Sequence, residues 1–222
     1  PSFIKSLTQN GVQVDEVIGI EWGALTAAFY TLNGKPHEAE WKLYKLAKKD
    51  LDAGFIRSSL NKAVPTSQLR KFMKTNLGSR SADKTQIGFN CPTLNLKSAS
   101  VAWNNKMPLW QKVESCLASP PKFEPSGSEI PALFVLKQLS AHLKRSGYGV
   151  IIFANVLNDV KSLKINSDWA SRAYWAEVQR HIWQSKPLFT DVIEINTEKY
   201  GLFDFDAKNG LKQVGEKAGR DA

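Results

Sequence analysis

Val17-Ile18-Gly19-Ile20-Glu21-Trp22-Gly23-Ala24-Leu25 runs an apolar strand into a small-residue helix through Gly-x-Glu-x-Gly. The frame matters because G-x-S-x-G marks a nucleophile elbow, a strained strand-to-helix turn that lifts its central side chain clear of a sheet. Glycines two positions to either side keep flanking side chains out of that corner, and Gly19 and Gly23 hold both places. The run 14–18 is apolar enough for a buried strand, and 24–30 starts a helix packed closely upon it. The turn is kept, with a carboxylate where serine belongs. Two glycines with three residues between them also arise by chance, so the frame takes its weight from what surrounds it.

Upstream, Ser2 to Gln9, Gly11 and then Val12 to Gly19 read as helix, glycine stop and strand. With the elbow, this order resembles the patatin-like phospholipases, in which a helix and a short G-[IV]-x-[IV]-D turn precede the serine elbow. Gly11, Val12, Val14, Asp15, Gly19, Gly23 and Ala24 match that run. Gln86 to Asn95 stands where the family has a core strand ending in "A-T-D-L". Val113 to Pro125 resembles its "[AV]-R-A-S-x-A-x-P-x-x-F-x-P" segment, and Leu202 to Gly215 its C-terminus. The similarity spans nearly the whole chain. It implies a three-layer α/β/α fold with a mainly parallel central sheet. The family's first strand and glycine-rich oxyanion loop would lie upstream of this chain or be missing from it.

Composition agrees with an α/β class and a single domain over 1–222, since 222 residues of 42% hydrophobic content can bury a full core. No secretory leader is visible at Pro1, and no run approaches the ~18 apolar residues of a membrane span. Periodicity predicts helices over 2–9, 22–32, 36–50, 66–76, 109–117, 131–145, 168–184 and 207–217. Strands are predicted over 14–18, 86–90, 100–103, 149–156 and 191–195, with 53–65 and 78–85 as loops. Val150 to Ala154, short and β-branched, reads as a central parallel strand.

The resemblance implies a chemistry of serine nucleophile, aspartate base and backbone oxyanion donors. The aspartate belongs in D-G-[GA] on a hairpin after "F-x-P". Here Pro125-Ser126-Gly127-Ser128-Glu129-Ile130-Pro131 runs almost directly into the next helix, without an Asp-Gly pair. Ser126, Gly127, Ser128 and Glu129 mark the degenerate aspartate region, as Glu21 marks the degenerate nucleophile. Attack by a carboxylate on an ester would form an anhydride, an unpromising route. A structural role is better supported: a carboxylate at a helix N-terminus can accept its backbone donors, where negative charge is favoured by up to ~1 kcal/mol. Trp22 follows the elbow where a small residue normally supplies an oxyanion N–H, and it would fill part of that pocket.

Other chemistry is poorly represented. Cys91 and Cys116 lack metal or redox spacing and read as two buried free thiols, able to pair only if their Cα atoms come within ~7 Å. His37, His142 and His181 read as surface or capping residues. Neither His37-Glu38 nor Asp204 with Asp206 forms a metal constellation, so no metal and no cofactor is expected.

Thirty Lys and Arg against twenty-one Asp and Glu leave +9, which favours anionic surfaces. Lys42, Lys45, Lys48 and Lys49 alternate with Trp41, Leu43, Tyr44 and Leu46 as a basic amphipathic helix, suited to lipid headgroups or an acidic partner, or simply a solvated face over a core stripe. No nucleic-acid recognition motif accompanies the charge, so that partner is disfavoured.

Together these features imply a catalytically inactive patatin-like protein, a scaffold or regulatory binding module. The expected place is the cytoplasm or the periphery of a membrane or envelope, and the expected partner is a protein or, as the bacterial family members imply, a second copy. The alternatives are a lipid acyl hydrolase with a non-standard site using Glu21, and an anionic phospholipid-binding protein without turnover.

Overall fold

The structure, a computed structural model, describes residues 1–47, 50, 63, 65–103, 105–119, 123–157, 169–200 and 206–222, except for the side chains of residues 170 and 171. The chain divides into two compact units, Pro1–Ala132 and Leu133–Ala222. Both mix helices with short strands, so the class is α/β.

In the first unit the order is α1 (Ser2–Gln9), β1 (Glu16–Ile18), α2 (Trp22–Asn33), α3 (Pro36–Lys45) and α4 (Ser67–Leu77). It continues with β2 (Gly88–Asn90), β3 (Thr93–Asn95), β4 (Ser100–Ala102), α5 (Leu109–Leu117) and β5 (Glu129–Pro131). Strand β1 pairs in parallel with β2, Glu16 opposite Gly88 and Ile18 opposite Asn90. Strand β3 is the centre of a separate antiparallel sheet, with Leu94 opposite Val101 of β4 on one side and Ile130 of β5 on the other.

Helix α2 is built to be central. Its sequence WGALTAAFYTLN alternates small and large apolar residues, and every residue from Ala27 to Leu32 is buried. Small side chains let it lie against β1 and β2, while it packs on α3, α4 and α5 elsewhere. Phe29 meets Phe72 of α4 edge to face at 6.1 Å. The helix stops at Gly34, whose left-handed φ of 63° lets its N–H return to Tyr30 O at 2.8 Å. Helix α5 has no solvent face over half its length: residues 112–117 are buried without a break.

Two of those buried positions are charged. Glu114 accepts Nε–H of Arg70 at 2.7 Å and the hydroxyl of Thr66, the residue just before α4. Lys112 donates through Nζ to Thr93 Oγ1 at 3.3 Å. Burial holds its ammonium below the usual lysine range, opposed by the charge of Glu129.

The second unit contains α6 (Leu136–Arg145), β6 (Ile152–Asn155), α7 (Trp169–Ser185), β7 (Asp191–Glu194) and α8 (Lys208–Asp221). Strands β6 and β7 are parallel, Ile152 opposite Asp191. Phe153 stacks on Phe189 with centroids 4.9 Å apart. Ser140 ties α6 to the turn after α7 through a 2.7 Å bond to Leu188 O.

Several expectations need correction. Among the described residues no single mainly parallel sheet forms; there are two parallel pairs and one antiparallel three-strand sheet. Strands β3 and β5 lie in stretches not predicted as strand. Helix α6 begins at Leu136, not 131, because Pro131 closes the pairing of β5 with Thr93. Helix α3 ends at Lys45, where Leu46 turns extended at φ −60° and ψ 120°. The predicted continuation through Lys48 and Lys49 lies outside the described residues, as do most of the 53–65 loop and Asp204. Cys91 and Cys116 are not free thiols: their Cα atoms are 6.4 Å apart, within bridging reach, and the two side chains form a disulfide.

Candidate functional site

Strand β1 delivers the chain to the elbow. Gly19 N–H still follows the sheet, donating to Asn90 O at 3.0 Å, and α2 begins three residues later. Between them Glu21 has φ 50° and ψ −127°, a left-handed conformation that side chains other than glycine rarely adopt. Positive-φ backbone strain therefore falls on the residue that the G-x-E-x-G frame singles out.

The two glycines contribute unequally. A Cβ on Gly19 would lie 2.3 Å from Ala24 Cα, so only glycine lets α2 approach the end of β1 this closely. At Gly23 a Cβ would meet nothing within 4 Å, which corrects the expectation that both glycines clear the corner.

The carboxylate of Glu21 is not a cap for α2. No backbone N–H of that helix donates to it; the early turn uses main-chain acceptors, with Gly23 N–H on Ile20 O at 3.0 Å and Ala24 N–H on Glu21 O at 2.8 Å. The expected role as acceptor of helix donors is corrected accordingly: positive φ swings the side chain off the line of the helix N–H groups. Instead, the hydroxyl of Ser119 donates to Glu21 Oε1. Burial pushes the Glu21 carboxyl above its usual pKa, and the bond from Ser119 opposes that rise.

Ser119 is the residue that sequence reading passed over. It stands two positions beyond α5 and 98 residues from Glu21 in sequence, and the packing of α5 on α2 brings them together. Its one sequence signal is its place in the family-like segment 113–125, just before Pro120.

Residues 126–129, where the resemblance placed the aspartate region, form a tight turn. Ser126 and Glu129 exchange both backbone hydrogen bonds, at 3.1 and 3.2 Å, around Gly127 at φ 65°. Ser128 O accepts from Leu96 N at 2.8 Å. Glu129, the remaining carboxylate there, accepts the Thr93 hydroxyl at 2.9 Å, and Thr93 in turn takes a hydrogen from Lys112. Glu21 and Glu129 thus each have a hydroxyl partner, Ser119 and Thr93 respectively. Trp22 opens α2 half-buried.

His181 is a capping residue. Its Nε2 accepts from Leu136 N, the first N–H of α6, at 3.3 Å, and its ring meets Phe134 edge-on at 5.5 Å. Burial and the neighbouring Arg180 charge hold its pKa below the usual histidine value, which favours the neutral ring that this acceptor role requires.

Among the described residues, no group of three or more His, Cys, Asp or Glu side chains is placed to hold a metal. No helix among them is long and apolar enough to cross a membrane. Two open clefts, of about 640 and 480 Å³, are lined wholly by the second unit and share Glu194 and Asn196. No family model matches the chain, and no curated protein matches it.

Proposed function

We propose that this chain is a patatin-like domain that has lost acyl-hydrolase chemistry and acts by binding, as a scaffold or regulatory module. The observation that carries this reading is the pairing at the elbow: a strained turn at φ 50° bears a carboxylate, and that carboxylate is engaged by Ser119. Strain of this kind costs on the order of 1–3 kcal/mol and persists where surrounding structure enforces it. Its survival with a residue unsuited to attack an ester fits descent from an elbow better than an independent origin. The reading further holds to the three-layer α/β/α architecture of that family, with its first strand and oxyanion loop upstream of this chain or missing from it. The partner is a protein or a second copy of the chain, and light scattering coupled to size exclusion reads the latter directly.

The Ser119–Glu21 hydrogen bond also favours a second reading. A hydroxyl donating to a carboxylate is the contact a serine nucleophile makes with its base, here with the two residues exchanged between elbow and loop. One experiment separates the two. The chain is incubated with fluorogenic short-chain esters and with phospholipids, beside Glu21→Ala and Ser119→Ala. Absence of turnover in all three supports the binding module. Turnover that both substitutions abolish establishes the hydrolase.

A further inference from the structure

Helix α3 presents large aromatic side chains to water. Trp41 is 59% exposed and Tyr44 50%, and Lys45 is exposed beside them, its Nζ 3.2 Å from the centroid of the Trp41 ring. These residues recur at the three- and four-residue spacing that gathers them on one face. The rest of the helix is fastened to the unit. Ala39 is buried, Glu40 accepts the Ser2 hydroxyl at 2.8 Å, and Lys42 Nζ donates to Asn76 O of α4 at 3.1 Å.

The charge around this face is one-sided. Both acids of α3 are engaged: Glu38 lies 3.0 Å from Lys35 Nζ and accepts from Asn33, while Glu40 lies 3.6 Å from Lys5 Nζ. Helix α4, tied to α3 through Lys42, contains no acid and carries the exposed Lys71 and Lys74, the latter with its Nζ 4.3 Å from the centroid of the Trp110 ring. Among the described residues no salt bridge draws off Lys45, Lys71 or Lys74.

We infer that the exposed face of α3 is a docking surface for a membrane bearing anionic phospholipid headgroups. Trp41 and Tyr44 enter the headgroup zone, where amphipathic rings are at their most stable, and the lysines meet the negative surface. The size of the face argues for a bilayer over an acidic protein. Two aromatic anchors on one helical turn fall well short of the ~800 Å² per partner of a stable protein interface, whereas interfacial binding needs only a few anchors and diffuse charge. The inference uses none of the elbow residues and holds whether or not the elbow turns over substrate.

The test is co-sedimentation of the full chain with large vesicles of phosphatidylcholine alone or mixed with phosphatidylserine, at low and high salt. Expected is binding to the mixed vesicles only, lost at high salt. Lys45→Ala should weaken it about fivefold and Trp41→Ala about tenfold. Both positions are exposed, so far-UV circular dichroism should match the parent. No binding to anionic vesicles at low salt overturns the inference, as does equal binding to neutral vesicles. So does binding that both variants retain in full, or capture of polyglutamate without capture of vesicles.

Discussion

A methyl group at Gly19 would sit against the backbone of Ala24, 2.3 Å from its Cα and 2.4 Å from its N, where no side-chain rotation relieves the contact. Gly19→Ala should therefore cost more than about 3 kcal/mol, or prevent folding. Gly23→Ala meets open space in the first turn of α2 and should be neutral or stabilise by about 0.5–1 kcal/mol through helix propensity. Urea unfolding of the two variants checks both; similar losses would contradict the asymmetry. The Glu21 carboxyl makes a second prediction. Its folded pKa is raised above the ordinary 4.5, so its contribution to stability is complete below that value and is lost as pH climbs through the folded one. Glu21→Gln keeps an acceptor for Ser119 without the charge. It should raise the melting temperature at pH 8, by about 2–4 °C for each kcal/mol recovered, and change little at pH 4. A variant that melts lower than the parent at pH 8 would count against burial as the cause. At this scale Glu21 was legible because a glycine frame is local. Ser119 was not, because its contact exists only once α5 packs on α2.

Helices are where sequence and structure agree most closely. The predicted spans 2–9 and 109–117 coincide with α1 and α5 end to end, since apolar periodicity and flanking breakers are both local signals. Strands β3 and β5, three residues each, are too short to show alternation, and their order comes from pairing Leu94 with Ile130 across the intervening helix. Helix α6 shows what else escapes: its first N–H is accepted by His181, 45 residues away in sequence. That contact carries a pH dependence. The folded pKa of His181 lies below the ordinary 6.5, so the unfolded chain takes up its proton first as pH falls. Stability from this contact is full above about pH 6.5 and declines as pH drops toward the folded value. The parent should lose more melting temperature than His181→Gln between pH 7 and pH 5. Parallel curves would remove the histidine from the account.

For the molecule as a whole, the α/β class was readable from the alternation of segments. The arrangement of sheets was not, because pairing partners are chosen by packing over long separations. The cysteines illustrate the limit: nothing in their spacing announces a bond, yet the fold brings the end of β2 and the end of α5 within reach. The disulfide spans 25 residues, for which loop-closure entropy suggests about 3.5 kcal/mol. Dithiothreitol, or the Cys91→Ser/Cys116→Ser pair, should lower the urea midpoint by a corresponding amount; an unchanged midpoint would mean that the bond contributes nothing in solution. Helix α5 also carries the two buried charges and leads directly to Ser119. Because residues 112–117 are buried on every side, this stretch lacks the alternation of permissive and strict positions found on an amphipathic helix. Under drift it should change more slowly than the elbow's own flanks, which makes Lys112-Val113-Glu114-Ser115-Cys116-Leu117 the better bait for recognising distant kin.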